Sequence, residues 1–331
     1  MITTPKIKNH VIEALEQKRF FKLVCGASLT DVKMVENLSF VFTLAGAHVI
    51  DLAPTSDVIL AARKGIERAL CTCPSSLAPV LMASIQLDKD PHFRKVVVAH
   101  DLCDVCGACV KVCPTEAFRI ERDGEFVYLS ERCFGCGICP SYCHVDALSM
   151  IETKPSPKET LKEMLLLGVK AIEFHFGENY RAIEDVWPDI KDLLVGAYSS
   201  KPLLSFSIGS DLLSDKEIKF AANLCYKLAG KNIILQCDGK PMSGGLKNGN
   251  NKSNSYLRVA KIIQKEKLPV YLQISGGTDE ESFARTVSRG LDINGVAIGS
   301  YARKLLMPYL KSKENLNDAI KIAKSLVDSV K

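Results

Sequence analysis

No stretch of this chain approaches the roughly 20 uncharged apolar residues needed to span a bilayer. The opening MITTPKIKNHVIEALEQKRFF is charged throughout and has no signal-peptide h-region, so a cytoplasmic protein with no transmembrane segment is expected. A strong excess of one charge is also missing. The net charge is +5, with Lys and Arg scattered among Asp and Glu, and neither a basic stripe nor a reader motif appears. That argues against nucleic acid as a partner. The lysine-rich KIAKSLVDSVK reads as the solvated face of a last helix. No Ser-His-Asp arrangement, metalloprotease motif or P-loop is present either. What remains is a globular balance, 47% apolar and 24% charged, over 331 residues that suffice for one large domain or two modest ones.

Cysteine is where the chain departs from the ordinary. It has 13, and eight fall between Cys103 and Cys143. Without a signal segment, that density points to metal or redox use rather than to disulfides. Cys103, Cys106, Cys109 and Cys113 have the spacing C-x2-C-x2-C-x3-C, and so do Cys133, Cys136, Cys139 and Cys143, 30 residues on. CxxC pairs also bind zinc, but two complete, duplicated runs argue against it and resemble the bacterial two-cluster ferredoxins. In that pattern three thiolates wrap one corner of a cubane, while the fourth, at the start of a short helix, ligates the neighbouring cluster. Cys103, Cys106, Cys109 and Cys143 would then hold one cluster, and Cys133, Cys136, Cys139 and Cys113 the other, both of the 4Fe–4S type.

Gly107, Gly135 and Gly137 let the backbone approach the cluster sulfurs. Between the runs, FRIERDGEFVYLSER alternates around an Asp123-Gly124 hairpin turn. The proline that usually follows the fourth cysteine is present as Pro114 but replaced by His144, while Pro140 follows Cys139. A 3Fe–4S form near Cys139 and Cys143 therefore stays open.

The rest of the chain alternates short apolar runs with amphipathic segments. Strands are expected at 21–28, 47–53, 79–88, 171–177, 202–211, 232–239, 269–277 and 295–302, with helices between them and one closing the chain. Continuous apolar strands imply a parallel sheet covered on both faces. Eight such units predict an α/β fold, a (β/α)8 TIM-like barrel. A doubly wound open sheet is the alternative, but the first strand lacks a GxGxxG turn. The barrel would be discontinuous, 1–88 and 154–331, with a ferredoxin-like α+β insert at 89–153. That insert leaves from the carboxyl rim, where barrel active sites lie.

Gly276 and Gly277 end the seventh strand, and Gly299 and Ser300 end the eighth. Together they form a candidate corner for FMN or another phosphate-bearing ligand, or simply tight turns. Asp238 opens the loop DGKPMSGGLKNGNNKSNS, which could act as a lid. Asp51, Asp88, Glu173, His175 and Asp238 near strand ends could do acid–base work. Cys25 and Cys237 could face the mouth, although a lone strand cysteine is usually a small core hydrophobe. Cys71 and Cys73, at the opposite end, read as structural. The stretch Asp88-Lys-Asp-Pro-His-Phe-Arg-Lys is expected to set the docking angle of the insert.

Several segments together are similar to the cyanobacterial light-dependent period protein (LdpA) family. They are FFKLVCGAS…AGAHVIDLAP, DPHFRK, the duplicated cysteine motif, DGKPMSGG and ISGGT…VAIGSYARK. The resemblance implies an iron–sulfur protein that senses photosynthetic redox state through a ferredoxin or the quinone pool and passes it to clock-associated proteins. Spacing alone implies the clusters and not the clock. An oxidoreductase feeding electrons to a flavin or substrate in the mouth is the other reading.

Overall fold

Apolar runs of four to seven residues, rich in Val, Ile, Leu and Phe and bounded by turn residues, form strands that are buried on both faces. The computed structural model describes residues 9–152, 156–197, 202–211, 213–240, 254–310 and 315–330. Helix α1 (Asn9–Glu16) precedes β1 (Phe20–Gly26), α2 (Val32–Ala45), β2 (Val49–Leu52), α3 (Ser56–Thr72) and β3 (Val80–Gln86). Then come β4 (Arg94–Val98), α4 (Ala108–Val112), β5 (Phe118–Ile120), β6 (Phe126–Tyr128) and β7 (Leu148–Glu152). Alternation resumes with α5 (Pro157–Leu166), β8 (Ala171–His175), α6 (Ala182–Ala197), β9 (Leu203–Gly209), α7 (Asp215–Ala229) and β10 (Ile234–Asp238). The remaining elements are α8 (Ser255–Lys265), β11 (Tyr271–Ser275), α9 (Ser282–Val287), β12 (Gly295–Ile298), α10 (Ser300–Leu310) and α11 (Leu316–Asp328).

Eight parallel strands close in the order β1-β12-β11-β10-β9-β8-β3-β2, so the expected TIM-like barrel is present. Two details differ from the expectation. The last barrel strand stops at Ile298, because Gly299 turns the chain and Ser300 already opens α10. Helix α1, not anticipated, plugs the amino end of the barrel. Its Val11, Ala14 and Leu15, at the i, i+3, i+4 spacing of one helix face, pack on Phe20, Val49, Val80, Ala171, Leu203 and Ile234. Those residues start their strands, which seals the end opposite the mouth. Among the described residues, no helix is long and apolar enough to cross a membrane.

Between β3 and α5 the chain builds a small separate unit. β4 pairs antiparallel with β7, and β5 with β6, around the Asp123-Gly124 turn that the sequence marked. Val96, Cys109, Ala117, Phe118, Cys133, Cys139 and Leu148 form its core. Polar contacts tie it to the barrel's carboxyl rim. The Thr30 amide donates to the Glu131 carbonyl at 2.9 Å, and Lys95 Nζ donates to Thr30 Oγ1 at 3.0 Å. Arg132 reaches Asp31, the residue that caps α2, at 3.3 Å.

Candidate functional site

The duplication of the cysteine runs is written in the backbone. Left-handed residues recur 30 positions apart: Val105 and Gly135 (φ 56° and 73°), Gly107 and Gly137 (74° and 73°), Glu116 and Asp146 (53° and 52°). Each pair turns the chain the same way around its thiols. The Ala117 amide donates to Cys113 Sγ at 3.3 Å, and Ala147 to Cys143 Sγ at 3.2 Å, the kind of N–H to sulfur contact that supports a thiolate ligand. The fourth cysteine of each run closes a helical turn rather than opening one. Cys113 caps the end of α4, and Cys143 caps a 3-10 turn over Cys139–Tyr142. Pro140 sits in the first turn of that 3-10 segment, where a missing N–H costs nothing. His144 Nε2 stands 2.9 Å from Asp104 and so bridges the two runs.

All eight cysteines carry free thiols. Burial raises the Cys136 and Cys139 thiols, and the neighbouring Cys113 and Cys133 raise them further. Cys109 is likewise raised by burial and by Cys103 and Cys106. Thiols crowded in this way, without disulfides and with amides aimed at sulfur, are the donor set a 4Fe–4S cubane takes, so the residues present fit such a group.

The second run lies over the barrel mouth. Phe134 lines the mouth, and the Arg303 guanidinium lies 4.9 Å from the centre of its ring. Arg94 Nε donates to the Gly135 carbonyl at 2.9 Å, which fixes this loop to the start of β4.

Inside, the barrel is polar. Lys22 of β1 is fully buried and paired with Glu173 of β8. Glu173 also accepts from Ser205 and from Gln236, each at 2.8 Å, and Gln273 donates to Gln236 at 2.6 Å. Ser84 donates to Asp51 at 2.9 Å, and Ser207 to Asp238 at 2.9 Å. Burial works against the Glu173 charge, but Lys22 and His175 hold that carboxyl low, while burial and the Glu173 charge push Asp51 up. Burial alone would lower His175, yet the flanking Asp90 and Glu173 carboxylates raise it to about 10.

Of the carboxylates and histidine expected near strand ends, Asp51, Glu173, His175 and Asp238 do converge on the mouth, and Asp88 does not. His92, four residues further on, takes that place, with Asp90 held against it at 2.6 Å. The sequence reading assigned both to docking and missed Lys22. A lone lysine inside the apolar run FFKLVCG was the signal for it.

Gly276, Gly277, Gly299 and Ser300 all line the mouth. A side chain at Gly276 would meet Asp238 Oδ1 at 2.2 Å and the Gly239 amide at 2.4 Å, so close packing already requires glycine there. Arg303, on the first turn of α10, is buried; its Nη1 donates to the Val24 carbonyl at 2.6 Å while its Nε has no partner. Cys25 and Cys237 do not face the mouth. Both pack in the core between barrel and helices, and burial raises both thiols, Cys25 to about 12. The lid expected after Lys240 lies outside the described residues.

Comparison with known proteins agrees with this layout. The light dependent period A C-terminal domain matches residues 164–330, and a 4Fe-4S dicluster domain matches 102–148. A protein named light dependent period A from Synechococcus elongatus is 29% identical over 327 residues, covering 92% of this chain and 87% of that one. A ferredoxin from Methanothermococcus thermolithotrophicus is 34% identical over 59 residues, covering 17% of this chain and 98% of that one. Among solved structures, KGPDC from Streptococcus mutans in complex with D-R5P covers 94% of this chain and 96% of its own at 10% identity and a TM-score of 0.44. The insert is therefore a ferredoxin-like iron–sulfur segment. With the C-terminal family domain matching half of its length, the chain belongs to the light dependent period A family.

Proposed function

We propose that this protein is a cytoplasmic iron–sulfur redox sensor and electron carrier that relays photosynthetic redox state to the circadian clock. Its insert, 89–153, would carry two 4Fe–4S clusters, one on Cys103, Cys106, Cys109 and Cys143, the other on Cys113, Cys133, Cys136 and Cys139. Bound clusters supply one-electron chemistry. The name of the Synechococcus relative supports the link to timing. A ferredoxin or the quinone pool would be the redox partner, and clock-associated proteins the receivers.

The observation that carries this reading is the seat of the second cysteine run on the barrel mouth, with Phe134 against Arg303. Arg303 in turn holds the Val24 carbonyl at the end of β1 and sits on α10. A change of charge at Cys136 thus acts on a guanidinium that belongs to the barrel.

Anaerobic purification should give about eight iron and eight sulfide per chain, as two cubanes require. Cys106→Ala and Cys136→Ala should each lose about half of the iron and leave the barrel folded. Unchanged iron in both variants would overturn the ligand assignment. Hydrogen exchange in oxidised and reduced protein should differ along α10 and β1, and identical exchange across the barrel would remove the sensor reading.

The oxidoreductase reading is favoured by one feature, the buried groups of the mouth that lack a hydrogen bond, Asp238 Oδ1 and Arg303 Nε. An FMN or phosphate-bearing ligand would then rest on Gly276, Gly277, Gly299 and Ser300. Flavin released on denaturation, in stoichiometric amount, would select that reading.

A further inference from the structure

Asp90, His92 and His175 meet at the rim of the mouth as a group that contains no cysteine. Asp90 and His92 come from the loop after β3, and His175 ends the neighbouring strand β8. One donor atom from each lies within 4.8 Å of the others. Asp90 Oδ1 is 2.6 Å from His92 Nδ1, and Asp90 Oδ2 is 3.4 Å from His175 Nδ1. Two ligands about 2.1 Å from a common ion and at right angles to each other stand about 3 Å apart. The two spacings run to different oxygens of the Asp90 carboxylate, one on either side of that value, so the carboxylate faces both imidazoles at ligand range.

Hydrogen bonding alone leaves this cluster incomplete. Asp90 and His175 are each only 4% exposed, and the two nitrogens of His175 make no well-formed hydrogen bond, each standing 3.4 Å from a carboxylate oxygen of Asp90 or Glu173. His175 and His92 both line the cavity, so the cluster opens onto the mouth.

The surroundings are those a ligating histidine uses. His175 Nε2 faces Glu173 Oε1 at 3.4 Å, and Glu173 is itself held by Lys22, Ser205 and Gln236. A carboxylate behind the outer nitrogen orients the ring and leaves the inner nitrogen for the ion. Asp90 is fixed in the same sense, because its Oδ1 accepts from the His92 amide at 2.8 Å and caps the 3-10 turn Pro91–Phe93. The Ser28 hydroxyl donates to the His92 carbonyl and so ties that turn to the barrel.

We propose that Asp90, His92 and His175 form a mononuclear site for a divalent transition metal in the barrel mouth, separate from the iron–sulfur clusters. Two imidazoles and one carboxylate on one side of the ion suit Fe(II) or Mn(II) better than Ca or Mg, and they leave open positions toward the cavity. A ligand entering the mouth would reach the metal there, with Asp238 and Arg303 also lining the cavity.

Mn(II) is the probe of choice because it competes poorly for thiolates. Untagged, cluster-loaded protein would be titrated with Mn(II) under anaerobic conditions, and the free ion followed by its electron paramagnetic resonance. One Mn(II) per chain is expected. His92→Ala and His175→Gln should each weaken it by more than about tenfold, with iron and sulfide per chain unchanged. His92 is partly exposed, so its variant reads the site even where the buried His175 variant fails to fold. Absence of stoichiometric Mn(II), or binding that survives His92→Ala, would overturn the site and leave a hydrogen-bonded histidine–aspartate pair. Neither outcome touches the cluster reading, which the iron count of the cysteine variants tests separately.

Discussion

Val105 and Gly135 hold equivalent places in the two cysteine runs, and both backbones are left-handed, yet only one of them is glycine. The difference lies outside the cluster-binding geometry. A Cβ at Gly135 would sit 2.2 Å from the Arg94 carbonyl of β4, whereas Val105 is exposed. A valine in that conformation costs on the order of 1–2 kcal/mol, and glycine gives back part of the gain through the freedom of the unfolded chain. Val105→Gly should therefore raise stability by up to about 1 kcal/mol, while Gly135→Ala should lower it by about 2 kcal/mol or more as the loop lifts off β4. Thermal unfolding of the cluster-loaded variants, with Val105→Ala as control, measures both; a Gly135→Ala protein as stable as that control would show that the contact with Arg94 is dispensable. At this scale the sequence disclosed what repeats and hid what does not. The cysteines were legible because their spacing occurs twice. Lys22, Asp90 and His92 were not, because single polar residues acquire meaning only when the barrel closes and brings β1, β3 and β8 together.

Elements were easier to read where a hydrophobic run had clear ends. The strands stood out because each is short, apolar and bounded by turn residues. Helix α1 was hidden because it is only eight residues long and its apolar positions gain their purpose from strand starts elsewhere in the chain. Helix α2 shows how one element joins both halves of the molecule. Asp31 accepts from the Met34 amide and also pairs with Arg132 of the insert, and one turn on, Glu36 is clamped to Arg68 at 2.6 Å, Lys64 at 3.3 Å and Lys33 at 3.7 Å. Burial alone would raise the Glu36 carboxyl, but Lys64, Lys33 and Arg68 together hold it below its ordinary value. A carboxyl with a depressed folded-state pKa lends stability that is complete above its unfolded value, about 4.3, and lost as the pH falls through the folded one. Wild-type protein should thus lose stability more steeply than Glu36→Gln below about pH 5, with the two running parallel at higher pH. Urea midpoints measured from pH 3 to 7 would show the convergence, and a constant offset across that range would mean that the clamp contributes nothing electrostatic.

The whole molecule is a barrel whose carboxyl rim has been opened to admit a second core. The barrel's hydrophobic cluster contains no residue between Arg94 and Glu152, and the insert's cluster contains only residues from that stretch. The two cores meet through polar contacts of the kind that are individually weak at a surface, and through Phe134 beneath Arg303. The ends of the insert are neighbours as well. Arg94 of β4 pairs directly with Glu152 of β7, and antiparallel partners stand only about 4.5–5.5 Å apart. That span is short enough for two glycines to bridge. A chain in which 94–152 is replaced by Gly-Gly should therefore fold as a barrel with cooperative unfolding and bind no iron. It should also be slightly less stable than the parent, because the contacts to Thr30 and Asp31 are gone and the mouth loses its Phe134 wall. The Mn(II) site of Asp90, His92 and His175 lies outside the excised stretch, so metal binding should survive where iron does not. Circular dichroism, denaturant unfolding and metal analysis of this one variant separate the two halves of the protein. A chain that fails to fold would show instead that the insert supplies structure the barrel cannot do without.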